Sequence, residues 1–114
     1  MAGPLSGIKL VEFAGIGPGP FCGMILADLG AEIIRIDRSS QHGRGNTIDF
    51  QHRSKLSLSA DLKNPQTINE IKKLLKKVDG LIEGFRPGVM ERLGLGPDEC
   101  LKIHPNLVYG RMTG

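Results

Sequence analysis

Tryptophan is absent from this 114-residue chain, aromatic residues amount to 4%, and there are only two cysteines. So few rings leave no stacking platform for single-stranded nucleic acid. Cys22 and Cys100 lie far apart with no CxxC spacing, so neither a disulfide framework, a zinc site nor a redox pair is indicated, and a reducing compartment is expected. Long hydrophobic runs are missing too. The apolar stretch from Met24 to Leu29 is broken by Asp28 and ended by Gly30, too short for a membrane span. Met1 to Leu5 carries no basic segment of a secretory signal, and Arg111 to Gly114 matches no retention or peroxisomal tail. Charge of one sign is scarce as well: 15 Lys and Arg face 12 Asp and Glu, a net +3. Lys72, Lys73, Lys76 and Lys77 form the one basic cluster, which reads as a solvated helix face rather than a nucleic-acid patch.

What is abundant is glycine, 16 of 114 residues, about twice the usual share of ~7%. Without a collagen-like period, that implies many tight turns or backbone in close approach to a ligand. The length allows one small domain or part of a larger one, and too little chain for two cores.

Strand and helix patterns alternate. Ile8, Leu10, Val11 and Phe13 form a first apolar run, followed by the glycine-rich turn from Ala14 to Gly19 and a helix expected to open at Pro20. Phe21, Met24, Ile25 and Leu29 recur at helical spacing, and Gly30 is placed to cap. Ile33, Ile34 and Ile36 make a second strand ending at Asp37-Arg38. From Ser39 to Ser54 there is little apolar material, which reads as a long functional or mobile loop. Leu56, Leu58 and Ala60 then alternate as a strand, and Asn64-Pro65 opens a helix whose apolar face is Ile68, Ile71, Leu75 and Val78. Leu81-Ile82 is a short buried strand. Val89 to Leu93 and Asp98 to Ile103 read as two short helices, and Leu107 to Tyr109 as a last strand. Alternation of this kind predicts an α/β fold, a Rossmann-like parallel sheet with helical crossovers.

Ligands of such sheets gather where strands end. Gly15, Gly17 and Gly19 suggest a dinucleotide turn, with Asp37 as the ribose acid, but the third fingerprint glycine falls on Pro20 or Cys22 and two prolines remove donors. Arg38 ends a strand, where a guanidinium grips phosphate; a surface pair with Asp37 or Glu32 is the competing role. His42, His52 and His104 have no carboxylate or cysteine at a catalytic spacing and read as surface residues, and no serine sits in a nucleophile elbow. The residues by themselves describe a phosphate-binding surface without a catalytic centre and without a metal site.

The run Gly15-Ile16-Gly17-Pro18-Gly19-Pro20-Phe21-Cys22-Gly23, extending to Ala31, followed by Ile36-Asp37-Arg38, resembles the α-methylacyl-CoA racemases of the family III CoA-transferase superfamily. The resemblance continues through Ala60-Asp61-Leu62-Lys63 and Leu81-Ile82-Glu83-Gly84-Phe85-Arg86-Pro87-Gly88-Val89-Met90-Glu91-Arg92. It implies that residues 1–114 are the N-terminal part of a CoA-binding, Rossmann-like large domain. Coenzyme A would be bound as the substrate thioester, with no separate cofactor. Arg38 would meet its phosphates; Ala60, Asp61, Leu62 and Lys63 would line the nucleotide, and Gly84, Phe85, Arg86 and Arg92 would complete that side. Ile16, Gly17 and Pro18 would lie near the acyl thioester.

The resemblance also implies epimerisation of 2-methylacyl-CoA through an enolate-like intermediate, in an interlocked homodimer. The family draws its His and Asp from the segment after the strand at Leu107 to Tyr109, so no catalytic residue is assigned here and the chain is expected to be inactive alone. Transferase relatives also place their nucleophilic Asp beyond that strand. Formyl-CoA transferases carry a glutamine near Gly17, which is absent here and tilts the reading toward a racemase. A family III CoA-transferase, or a CoA-binding module that joins another subunit, are the alternatives. The partners expected are acyl-CoA and a second copy, without nucleic acid or membrane. A bacterial-like cytoplasmic setting is expected, or mitochondria or peroxisomes for a eukaryotic source.

Overall fold

The structure, a computed structural model, describes residues 3–13, 18–38, 47–52 and 55–112. Ten elements follow in the order β1 (Lys9–Phe13), α1 (Pro18–Asp28), β2 (Glu32–Arg38), β3 (Thr47–His52), β4 (Lys55–Ala60), α2 (Pro65–Leu75), β5 (Gly80–Glu83), α3 (Val89–Arg92), α4 (Pro97–Ile103) and β6 (Val108–Arg111). They build one sheet with the strand order β3-β4-β2-β1-β5-β6. Five strands are parallel, as the alternating pattern requires, and β3 runs antiparallel to β4 at one edge.

Two details differ from expectation. Helix α1 opens at Pro18 rather than Pro20; both prolines fit, because N–H groups of a first turn have no partner within the helix. And β3 lies within the stretch read as loop. It pairs with β4 through Thr47, Ile48, Asp49, Phe50 and His52, with an irregularity between Phe50 and His52, so the passage from β2 to β4 includes a sheet-edge strand where a long loop was expected.

The helix starts and stops follow local chemistry. Asn64 accepts the Gln66 N–H at 2.9 Å and Pro65 takes the first helical position of α2. Gly30, at φ +108°, ends α1 in a conformation that disfavours other residues, while Ala31 donates back to the Leu26 carbonyl.

Side chains alternate across the sheet. Val11, Phe13, Ile36, Ala60 and Leu81 point into a core with Leu62, Ile68, Ile71, Leu75, Met90, Leu95, Cys100 and Leu107, on the side of α2, α3 and α4. Glu12, between Val11 and Phe13, points the other way, against Gly23 of α1. The sheet therefore has helices on both faces. On the outside of α1, Phe21, Met24, Ile25 and Leu29 are exposed. Among the described residues no helix is long and apolar enough to cross a membrane.

Strand order determines where a ligand can sit. From β1 the chain moves outward through β2 to β3 and β4, then crosses back to β5 on the other side of β1. The chain continues from β1 to β2 on one side and from β5 to β6 on the other, so the strand order reverses between β1 and β5; the carboxyl ends at such a reversal are the usual ligand position in open α/β sheets.

Candidate functional site

The expected residues gather at those carboxyl ends. Arg38 and Ala60 are register partners on the adjacent strands β2 and β4. Asp61 to Asn64 turn directly beyond Ala60. The Asp61 carboxylate accepts the Lys63 N–H at 3.0 Å, so this acid is used within its own turn, and Lys63 is exposed. Ala60 and Leu62 are buried in the core. What they can offer a ligand is therefore backbone alone, and the Leu62 side chain anchors the turn.

Across the switch point, Gly84, Phe85 and Arg86 follow β5. The Phe85 ring meets Phe13 edge to face at 6.1 Å, at the carboxyl ends of β1 and β5. Over the same ring lies the Arg38 guanidinium, 4.9 Å from the centroid. This contact joins the two groups of expected residues. Arg86 and Arg92 are exposed. Gly88, at φ +86°, precedes α3, and a side chain there would meet the Arg92 guanidinium at 3.2 Å. Ile16 and Gly17 lie outside the described residues; Pro18 is the first residue of α1.

Arg38 has no ion pair with a described carboxylate. Asp37 is taken by Arg35 Nε at 3.0 Å and the Ser57 hydroxyl at 2.6 Å. The competing role for Arg38, a surface pair with Asp37 or Glu32, is therefore not seen, and its charge is available for an anion. Donors of this kind at strand ends suit a diphosphate, at about 1.5–3 kcal/mol per charge-assisted hydrogen bond.

The sequence reading missed a second layer under Phe85. Buried Glu83 accepts the Phe85 N–H at 2.9 Å through one oxygen and Arg111 Nε at 2.7 Å through the other. The two terminal nitrogens of Arg111 meet both oxygens of Glu91, each at 2.8 Å. Arg111 also lies over the Tyr109 ring at 5.6 Å. The only available signal was opposite charges at the ends of two late strands, and pairing them requires knowing that β5 and β6 are neighbours.

Among the described residues, the histidines do not gather at this site. His104 is a correction to the surface reading: its Nε2 lies 2.8 Å from the Val78 carbonyl, half-buried, beside the starts of β5 and β6. His52 pairs in register with Lys55, the first residue of β4, also at the edge away from the site. His42 lies outside the described residues. Burial pushes the Cys100 thiol up to about 11, so it is protonated at neutral pH.

Comparison with known proteins places the chain. The profile of CoA-transferase family III matches residues 5–114. The α-methylacyl-CoA racemases of Mus musculus and Homo sapiens are 46% and 44% identical over 110 residues, 96% of this chain and 28% of theirs. A probable fatty acyl-CoA transferase of Mycobacterium tuberculosis is 36% identical over 125 residues, 98% of this chain and 32% of its own length. A crystal structure of that protein superimposes with a TM-score of 0.86 at 34% identity, covering 99% of this chain and 34% of the other. The chain thus spans about a third or less of the relatives it matches.

Proposed function

Because the chain belongs to CoA-transferase family III, we propose that it forms the coenzyme-gripping part of an α-methylacyl-CoA racemase. The observation that carries this reading is the convergence of Arg38, Ala60 and Phe85 at the ends of β2, β4 and β5. Arg38 holds the diphosphate. The Ala60–Lys63 turn offers backbone and the exposed Lys63 ammonium to the nucleotide, and Arg86 and Arg92 complete the opposite wall. The racemase relatives at 44–46% identity support the choice of chemistry.

Racemisation takes the α-proton from one face of a 2-methylacyl thioester and returns one to the other. The described histidines lie at the far edge of the sheet, which supports a division of labour. These residues bind and orient the coenzyme arm, and the family's His and Asp move the proton. The exposed apolar residues Phe21, Met24 and Ile25 of α1, with Leu29 directly after it, support the expected homodimer.

Calorimetry with CoA tests the grip. The wild-type chain is expected to bind, and Arg38→Ala to bind about ten to a hundredfold more weakly, the loss of one charge-assisted bond. Absence of heat from both proteins overturns the reading. In deuterated water the chain alone is expected to leave the α-proton of a 2-methylacyl-CoA unexchanged; exchange would contradict the division of labour.

The transferase relative at 36% identity supports a second reading, acyl exchange between CoA and a carboxylate. It uses the same grip. The absence of a glutamine near Gly17 favours the racemase.

A further inference from the structure

We propose that Arg111 is a positioning residue for the coenzyme site, bracing the loop after β5 and helix α3 rather than touching phosphate itself. The inference rests on the coenzyme reading given above. Among the described residues, four arginines lie along the carboxyl-end side of the sheet: Arg38, Arg86, Arg92 and Arg111. Three are exposed without a described carboxylate partner, whereas Arg111 is committed on every side.

Its Nε is given to Glu83 at 2.7 Å, and its two terminal nitrogens form a fork with Glu91 at 2.8 Å each. Arg111 and Glu83 are register partners on β6 and β5, so the contact follows from strand pairing. Two carboxylates face this one guanidinium, leaving no surplus positive charge for an anion. Glu83 is the last residue of β5, directly before the loop of Gly84, Phe85 and Arg86, and Glu91 lies on α3 with Arg92. Through its other oxygen Glu83 holds the Phe85 N–H at 2.9 Å, fixing the residue over which Arg38 lies. A planar fork bridging two acids is a geometry that guanidinium provides and an ammonium does not.

The brace and the coenzyme reading fail in different ways. Calorimetry with CoA on the wild-type chain comes first, and absence of binding overturns both. If the wild type binds, Arg111→Met is expected to lose about tenfold in affinity. Its affinity should fall with salt as steeply as the wild type's, because a brace contributes no phosphate contact, whereas Arg38→Ala should show a shallower salt dependence. Amide exchange at Phe85 should quicken in Arg111→Met. Wild-type affinity, or a flattened salt dependence, overturns the proposal. Should Arg111→Met fail to fold, Arg111→Lys keeps the charge and loses the fork. The same tenfold loss then supports the brace, and wild-type affinity overturns it.

Discussion

The guanidinium of Arg38 lies 4.9 Å over the ring of Phe85, tying the end of β2 to the loop after β5. These residues are 47 positions apart in sequence, and the intervening strand β1 adds the Phe13 ring from below at 6.1 Å. A cation resting on an aromatic face keeps its N–H edges free to donate. This contact can therefore hold Arg38 in place without using its hydrogen bonds.

Phe85→Leu should destabilise the fold by about 1–2 kcal/mol, the sum of an edge-to-face pair and an exposed cation–π contact. It should also weaken CoA binding severalfold. Phe85→Tyr should keep most of both. Denaturant melts and calorimetry on the two variants check this, and equal behaviour of Leu and Tyr would contradict the ring's role.

Gly23→Ala should be destabilising by about 1–3 kcal/mol, the range for inserting a methyl into a filled space. A Cβ at this position would run into the Glu12 carboxylate, and Glu12 is fully buried, so it has no solvent to swing into. Gly84→Ala is the control, since the nearest atom there is Met112 Cβ at 3.7 Å, an ordinary contact. Urea midpoints of the two variants should separate clearly.

Thiol labelling should discriminate sharply. Cys22 is half-buried, whereas Cys100 is buried, donates to the Leu95 carbonyl at 3.3 Å, and has its thiol pushed up to about 11 by burial. Iodoacetamide at pH 8 should modify Cys22 in the folded chain and reach Cys100 only after denaturation. Peptide mass mapping before and after urea reads the result.

Acid should remove stability through Glu91. The Arg111 hydrogen bond, more than any other influence, holds this carboxyl below the ordinary glutamate range. Because the folded state lowers the carboxyl's proton affinity, its contribution is present above that range and is lost as pH falls through and below it. The wild type should therefore lose more stability between pH 7 and pH 3 than Glu91→Gln does. Equal acid sensitivity in the two proteins would count against the pair.

Much of this architecture is legible in the order of residues. Asn64-Pro65 marks a helix start because an N-cap side chain and a missing N–H are both local chemistry. Arg38 and Ala60 are identifiable as strand ends because charge follows β-branched or alternating apolar residues. The edge strand β3 is harder to see: Ile48 and Phe50 alternate with Asp49 and Gln51, but two apolar residues within a long polar stretch are a weak signal, and the pairing with β4 is what makes Thr47–His52 a strand. His104 looked like a surface residue because nothing near it in sequence indicates Val78, whose carbonyl it meets at 2.8 Å. The Glu83–Arg111–Glu91 network is likewise invisible along the chain, since it exists only once β5 and β6 lie side by side.

The reversal of strand order about β1 also has a kinetic meaning. β1, β2 and β4 can assemble outward from the centre, yet the floor under Arg38 is absent until β5 docks on the opposite side of β1 and delivers Phe85. Closing that distant pairing is the slow, costly kind of step, and on the proposed reading it is the step that creates the ligand's seat. A half-assembled chain would be blind to CoA, and a ligand that recognises only the finished sheet would draw the last strands home by mass action.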